Sequence, residues 1–69
     1  MDQEEQEERT ELVSRMFALL TAKLEDAATL AAESQGRHAI AELIENASAL
    51  RELVREALIV VDGVEALIR

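Results

Sequence analysis

The sequence predicts an all-α protein: an antiparallel two-helix hairpin that associates into a four-helix bundle. Three observations carry this. Apolar residues recur at helical spacing along most of the chain. Breakers are scarce, with no Pro and only Gly36 and Gly63 among 69 residues. The two apolar stripes, finally, fall out of phase with one another across residues 34 to 38.

The first helix is expected from about residue 3 to about residue 34. Asp2 followed by Glu5 has the form of an N-cap with its reciprocal partner, and a Glu-rich first turn suits the positive end of the helix dipole. Val13, Met16, Phe17, Leu20, Leu24, Ala27 and Ala31 follow the i, i+3, i+4, i+7 pattern of one buried stripe. Leu12, Leu19, Ala28 and Leu30 widen it. Lys23 lies at the stripe's edge, where its stem packs while the amine reaches water.

The turn is expected at about residues 34–37. Carrying the first stripe's heptad count across it misplaces the second stripe by two positions, whereas a stutter or stammer shifts a continuous coil by four or three. Gly36 in Ser34-Gln35-Gly36-Arg37 suits the left-handed position that ends a helix. Two helices therefore fit better than one long one.

The second helix is expected from about 38 to 68. Leu43, Leu50, Ala57 and Val64 share one heptad position; Ile40, Ala47, Val54, Val61 and Ile68 share another; Leu53, Val60 and Leu67 share a third. The stretch LIVVDGVEALI at 58–68 contains Asp-Gly between apolar runs, a strong hairpin signal. An isolated two-stranded ribbon is marginal in water, however, and the helical pattern from Leu43 continues through it without a change of phase. Helix is the better reading.

A fold about residues 35 and 36 sets residue i opposite roughly 71 − i. Phe17 then meets Val54, Val13 meets Leu58, and Leu12 meets Ile59. Val60, Val61, Val64, Leu67 and Ile68 are left beside residues 3 to 11, which are nearly all Glu, Gln and Arg. Each such side chain is worth roughly 1.5–3 kcal/mol when fully buried. With Leu58 on the row of Arg51 and Glu65, and Ile59 on that of Glu45 and Glu52, this end of the helix calls for another chain. The expected interface is thus Leu58, Ile59, Val60, Val61, Val64, Leu67 and Ile68, with Val13, Phe17 and Val54, in a homodimer.

Composition narrows the functional classes. One domain spans 1–69, and a chain so short needs a staple. It has no Cys for disulfides and one His, which leaves oligomerisation. Net charge is −8, with the basic residues scattered, so nucleic acid is not an expected partner. LIVV is far short of a membrane span. An acidic start without a basic n-region points away from a signal peptide, so the cytoplasm is the expected location.

Sites for chemistry are few. His38, Glu42 and Glu45 fall at i, i+4 and i+7 and are weak candidates for a metal, lacking the Glu-x-x-His spacing of bundle di-metal sites; a surface His is the plainer reading. No Ser or Thr has a nearby His-acid arrangement, and no Gly-rich phosphate loop exists, so neither an enzyme nor a cofactor is expected. The acidic arm 1–11, with Glu4, Glu5, Glu7, Glu8 and Glu11, reads first as a solvated helix start. Beside an unmatched apolar end it would also dock a basic amphipathic helix of another protein.

In layout the chain is similar to small helical-hairpin proteins, such as plasmid copy-control dimers that bind RNA and small co-chaperones of secretion-needle subunits. The resemblance is one of shape. The negative field disfavours the RNA-binding type. The expected role is a non-enzymatic protein–protein interaction module, adaptor-like or chaperone-like; the alternatives are a structural assembly subunit and a metal-binding bundle.

Overall fold

The computed structural model describes residues 2–69. Two helices form, α1 over Gln3–Glu33 and α2 over Ile40–Ile68, and they pack along each other. The molecule is a rod, 57 × 15 × 11 Å across its Cα atoms. Among the described residues no helix is long and apolar enough to cross a membrane.

Asp2 occupies the N-cap of α1 in extended geometry, but its side chain makes no capping hydrogen bond. The expected reciprocal box with Glu5 is therefore not formed; the Asp2 carbonyl accepts the first turn's bond from the Gln6 N–H instead, at 3.3 Å. The other end of α1 tapers. The Ser34 N–H donates to the carbonyls of Leu30 and Ala31, and the Ser34 hydroxyl donates to the Leu30 carbonyl at 2.7 Å. Gly36 then takes φ +88°, the left-handed conformation expected of it. α2 begins at Ile40, two residues later than its pattern suggests, and runs unbroken through Asp62 and Gly63.

The seam between the helices follows an alternating spacing of three and four. On α1 the covered or half-covered residues are Val13, Met16, Leu20, Lys23, Ala27, Leu30 and Ser34. On α2 they are Leu43, Asn46, Leu50, Leu53, Ala57, Val60, Val64 and Leu67, joined at the seam's margin by Glu56, Val61, Gly63 and Glu65. This is the knobs-into-holes rhythm of an antiparallel coiled coil. It departs from the α1 stripe read from the sequence: Phe17 and Leu24 lie outside the seam, each half exposed, while Lys23 and Leu30 lie within it.

Three cross-helix contacts fix the register. Lys23 Nζ donates to Glu56 Oε1 at 2.9 Å, Asn46 Nδ2 donates to Ser34 Oγ at 3.0 Å, and the Gly63 backbone lies against the Met16 methyl. The residue numbers in these pairs sum to 79, 80 and 79. The 71 − i register expected from a tight turn is therefore displaced by eight to nine residues. The cause lies in the loop: α1 stops at Glu33, and residues 34–39 continue past its end beside the start of α2 before that helix begins. Two helical turns of α2 are thus spent alongside the loop.

The displacement re-partners the apolar end of α2. Val60 now lies opposite Leu20, Val64 opposite Met16, and Leu67 opposite Val13. Val60 and Val64 are buried, at 9% and 4% exposure. Burying such residues against apolar partners rather than Glu and Gln is worth kilocalories per side chain, which is what selects this register over the shorter one. Residues 3–10 of α1 project past the end of α2 as a bare helix.

Candidate interaction surface

Two helices enclose very little, so about half of the large apolar residues remain exposed. Among the described residues the four buried ones, Ala27, Ala57, Val60 and Val64, all belong to the seam. Which exposed residues stand together follows from the rows that flank it.

In an antiparallel pair, the row one residue after the Met16–Lys23–Leu30 positions on α1 and the row one residue after Asn46–Leu53–Val60–Leu67 on α2 lie on the same side. On α1 that row is Thr10, Phe17, Leu24 and Ala31; on α2 it is Ile40, Ala47, Val54, Val61 and Ile68. Neither row contains a charge. Phe17, Leu24 and Val54 are each about half exposed, at 50%, 50% and 52%. Leu58 and Ile44, in the next row outward on α2, extend the apolar surface, with Arg51 between them and Glu65 beyond. A shallow hollow of about 300 Å³ lined by Ile44, Ala47, Ser48 and Arg51 marks its turn end.

The opposite side differs in character. Its flanking rows hold Leu12, Leu19, Asp26 and Glu33 on α1 and Glu42, Ala49, Glu56 and Gly63 on α2. Four carboxylates stand there. Leu12 and Leu19 are exposed, and Ile59, one row farther out on α2, is on this side too.

The expected interface residues therefore separate into three sets. Val60 and Val64 belong inside the hairpin; the expectation that they lack an intramolecular partner fails because of the register. Val13, Val61 and Leu67 are half covered by it. Phe17, Val54, Leu58 and Ile68 remain exposed on the uncharged side, and Ile59 on the acidic side. Sequence reasoning omitted Leu24, Ile40 and Ile44 from the surface. The row Ile40–Ala47–Val54–Val61–Ile68 was visible as a repeat, but only the register shows that it flanks the seam.

Glu4, Glu5, Glu7, Glu8 and Glu11 are all exposed on or at the base of the projecting helix. An open hollow of about 510 Å³ lined by Gln3, Gln6, Glu7, Thr10, Glu11 and Ser14 lies on this end. It is a flank of α1 alone, with no residue of α2 in its lining. The arm does not stand beside an unmatched apolar end of α2, because Val13, Met16 and Leu20 cover that end.

His38 sits in the turn, with both ring nitrogens engaged. Nδ1 lies 2.8 Å from Glu42 Oε1 and Nε2 lies 2.9 Å from the Gln35 carbonyl oxygen. Both partners accept only, so forming both bonds requires two N–H groups, which is the imidazolium. The hydrogen bond to the Glu42 carboxylate, then that to Gln35, raises the His38 pKa above its usual 6.5. Glu45 does not complete a site: among the described residues no group of three or more potential ligands gathers. The hydroxyls of Thr10 and Thr21 donate to the carbonyls of Gln6 and Phe17, one turn earlier in the helix.

Compared with protein-family models, with curated proteins and with solved structures, the chain has no match.

Proposed function

We propose that this protein is a non-enzymatic protein–protein interaction module that works as a homodimer, two hairpins closing into a four-helix bundle in the cytoplasm. The observation that carries the reading is the uncharged side of the hairpin. Fifteen acidic and seven basic residues are distributed over 69 positions. Two adjacent rows running the length of the seam nevertheless contain none of them. A soluble single hairpin has no use for such a face, and contiguous apolar patches beyond a few hundred Å² mark contact sites. The opposite side, with its four carboxylates, is suited to water.

The assignment of the bundle to this side makes a direct test. Leu24→Glu and Val54→Glu place charge on exposed positions that the hairpin does not need. Sedimentation equilibrium is expected to give twice the chain mass for the wild type and the chain mass for the double variant, with helicity retained in both. A wild type that stays monomeric at tens of micromolar overturns the reading.

A further inference from the structure

We infer that the second copy seats on the uncharged side in the opposite orientation, about a two-fold axis that passes near Leu58, so that the two turns lie at opposite ends of the bundle. The inference rests on the dimeric reading above and specifies its partner surface and geometry. Size allows it: the broad side measures 57 × 15 Å, roughly 850 Å² in projection, against about 800 Å² contributed by each partner of a standard interface.

Orientation is decided by charge and by the distribution of large and small residues. Arg51 and Glu65 stand seven residues either side of Leu58 in the outer row of α2. Reversing a copy about Leu58 brings Arg51 of each chain to Glu65 of the other. Arg51 makes no ion pair within the described residues, and Glu65 uses Oε2 for Arg69, which leaves Oε1 open to a second cation. In the same arrangement Val54 meets Val61, and on α1, near its own crossing point, Phe17 meets Ala28 and Leu24 meets Thr21. Large faces small. With the turns at the same end, Arg51 meets only the Ala28–Ala31 part of α1, and Glu65 meets Ser14 and Phe17. That arrangement also sets the two projecting arms side by side, each with Glu4, Glu5, Glu7, Glu8 and Glu11. Like charges so placed repel, whereas the reversed copy separates the arms by the length of the rod.

Cross-linking and charge reversal test this together. The chain contains no Cys, so single cysteines report cleanly. Leu58→Cys is expected to join two chains through a short bis-maleimide, and Ile68→Cys is not, since the reversed copy sets the two Ile68 positions about 20 residues, roughly 30 Å, apart along the axis. Arg51→Glu and Glu65→Arg are each expected to weaken dimerisation about tenfold, and the two together to restore it. Circular dichroism checks that Glu65→Arg, which costs Arg69 its partner, leaves the helices intact. Cross-linking at Ile68 but not Leu58, or a double reversal no better than either single one, overturns the orientation while a doubled mass keeps the dimer. A monomeric wild type overturns both.

Discussion

Single residues show how much a small hairpin depends on a few polar atoms. His38 joins the turn to the first turn of α2 through two acceptors, and its pKa is raised by the Glu42 hydrogen bond and then by Gln35. A raised folded-state pKa contributes stability that is fully present below the unfolded value near 6.5 and is lost as pH climbs through the folded value. The melting temperature is therefore expected to fall as pH rises above the usual histidine value of 6.5 in the wild type and to change less in His38→Gln. Equal slopes would count against the turn lock. Gly63 is the other case. A Cβ built there falls 2.8 Å from the Met16 Cε, the mobile tip of a flexible side chain. Replacing a mid-helix Gly by Ala gains about 1 kcal/mol of propensity, and moving the Met16 tip returns part of it. Gly63→Ala is expected to stabilise by about 0.5 kcal/mol in urea unfolding; a loss would mean that Met16 has nowhere to go.

At the scale of the elements, register is the governing quantity. The seam is mostly apolar, and its two polar layers are matched: Lys23 lies opposite Ala57 and pairs with Glu56, and Ser34 pairs with Asn46. A half-exposed ion pair such as Lys23–Glu56 adds at most about 1 kcal/mol. Its larger effect is selective, since a slipped register leaves the amine and the amide facing apolar residues. Deletions read the register directly. Residues 2–9 lie beyond the end of α2 and cover none of it, so removing them is expected to leave the unfolding midpoint nearly unchanged. Removing 60–69 takes Val60, Val64 and Leu67 from the seam and is expected to abolish cooperative unfolding. Were the arm packed beside α2, as a tight turn would put it, the first deletion would also be costly.

For the whole molecule, charge opposes compaction. A net charge of −8 on a rod 57 Å long concentrates carboxylates at the arm and along one broad side. Salt screens such repulsion over about 10 Å at 0.1 M. Raising sodium chloride from about 0.02 to 0.5 M is expected to raise the melting temperature, because repulsion is screened more than the few surface ion pairs are weakened. A fall in melting temperature with salt would show that those pairs, not the net charge, dominate.

Periodicity and composition determined the helices, the break near Gly36 and the helical state of LIVVDGVEALI. These are local matters: a repeat of three and four, a residue able to take positive φ, and the absence of Pro are all readable in order along the chain. The pairing of the helices was not local. It depended on six loop residues running on past α1 beside the start of α2, which no short pattern encodes, and on the sum of apolar burial over every layer at once. The packed pair places Val60 and Val64 in the seam rather than in the expected interface with a second chain, and leaves Phe17 and Leu24 outside the seam. Only the packed pair could decide which row of side chains faces water, because a helix presents every row equally until a neighbour covers one.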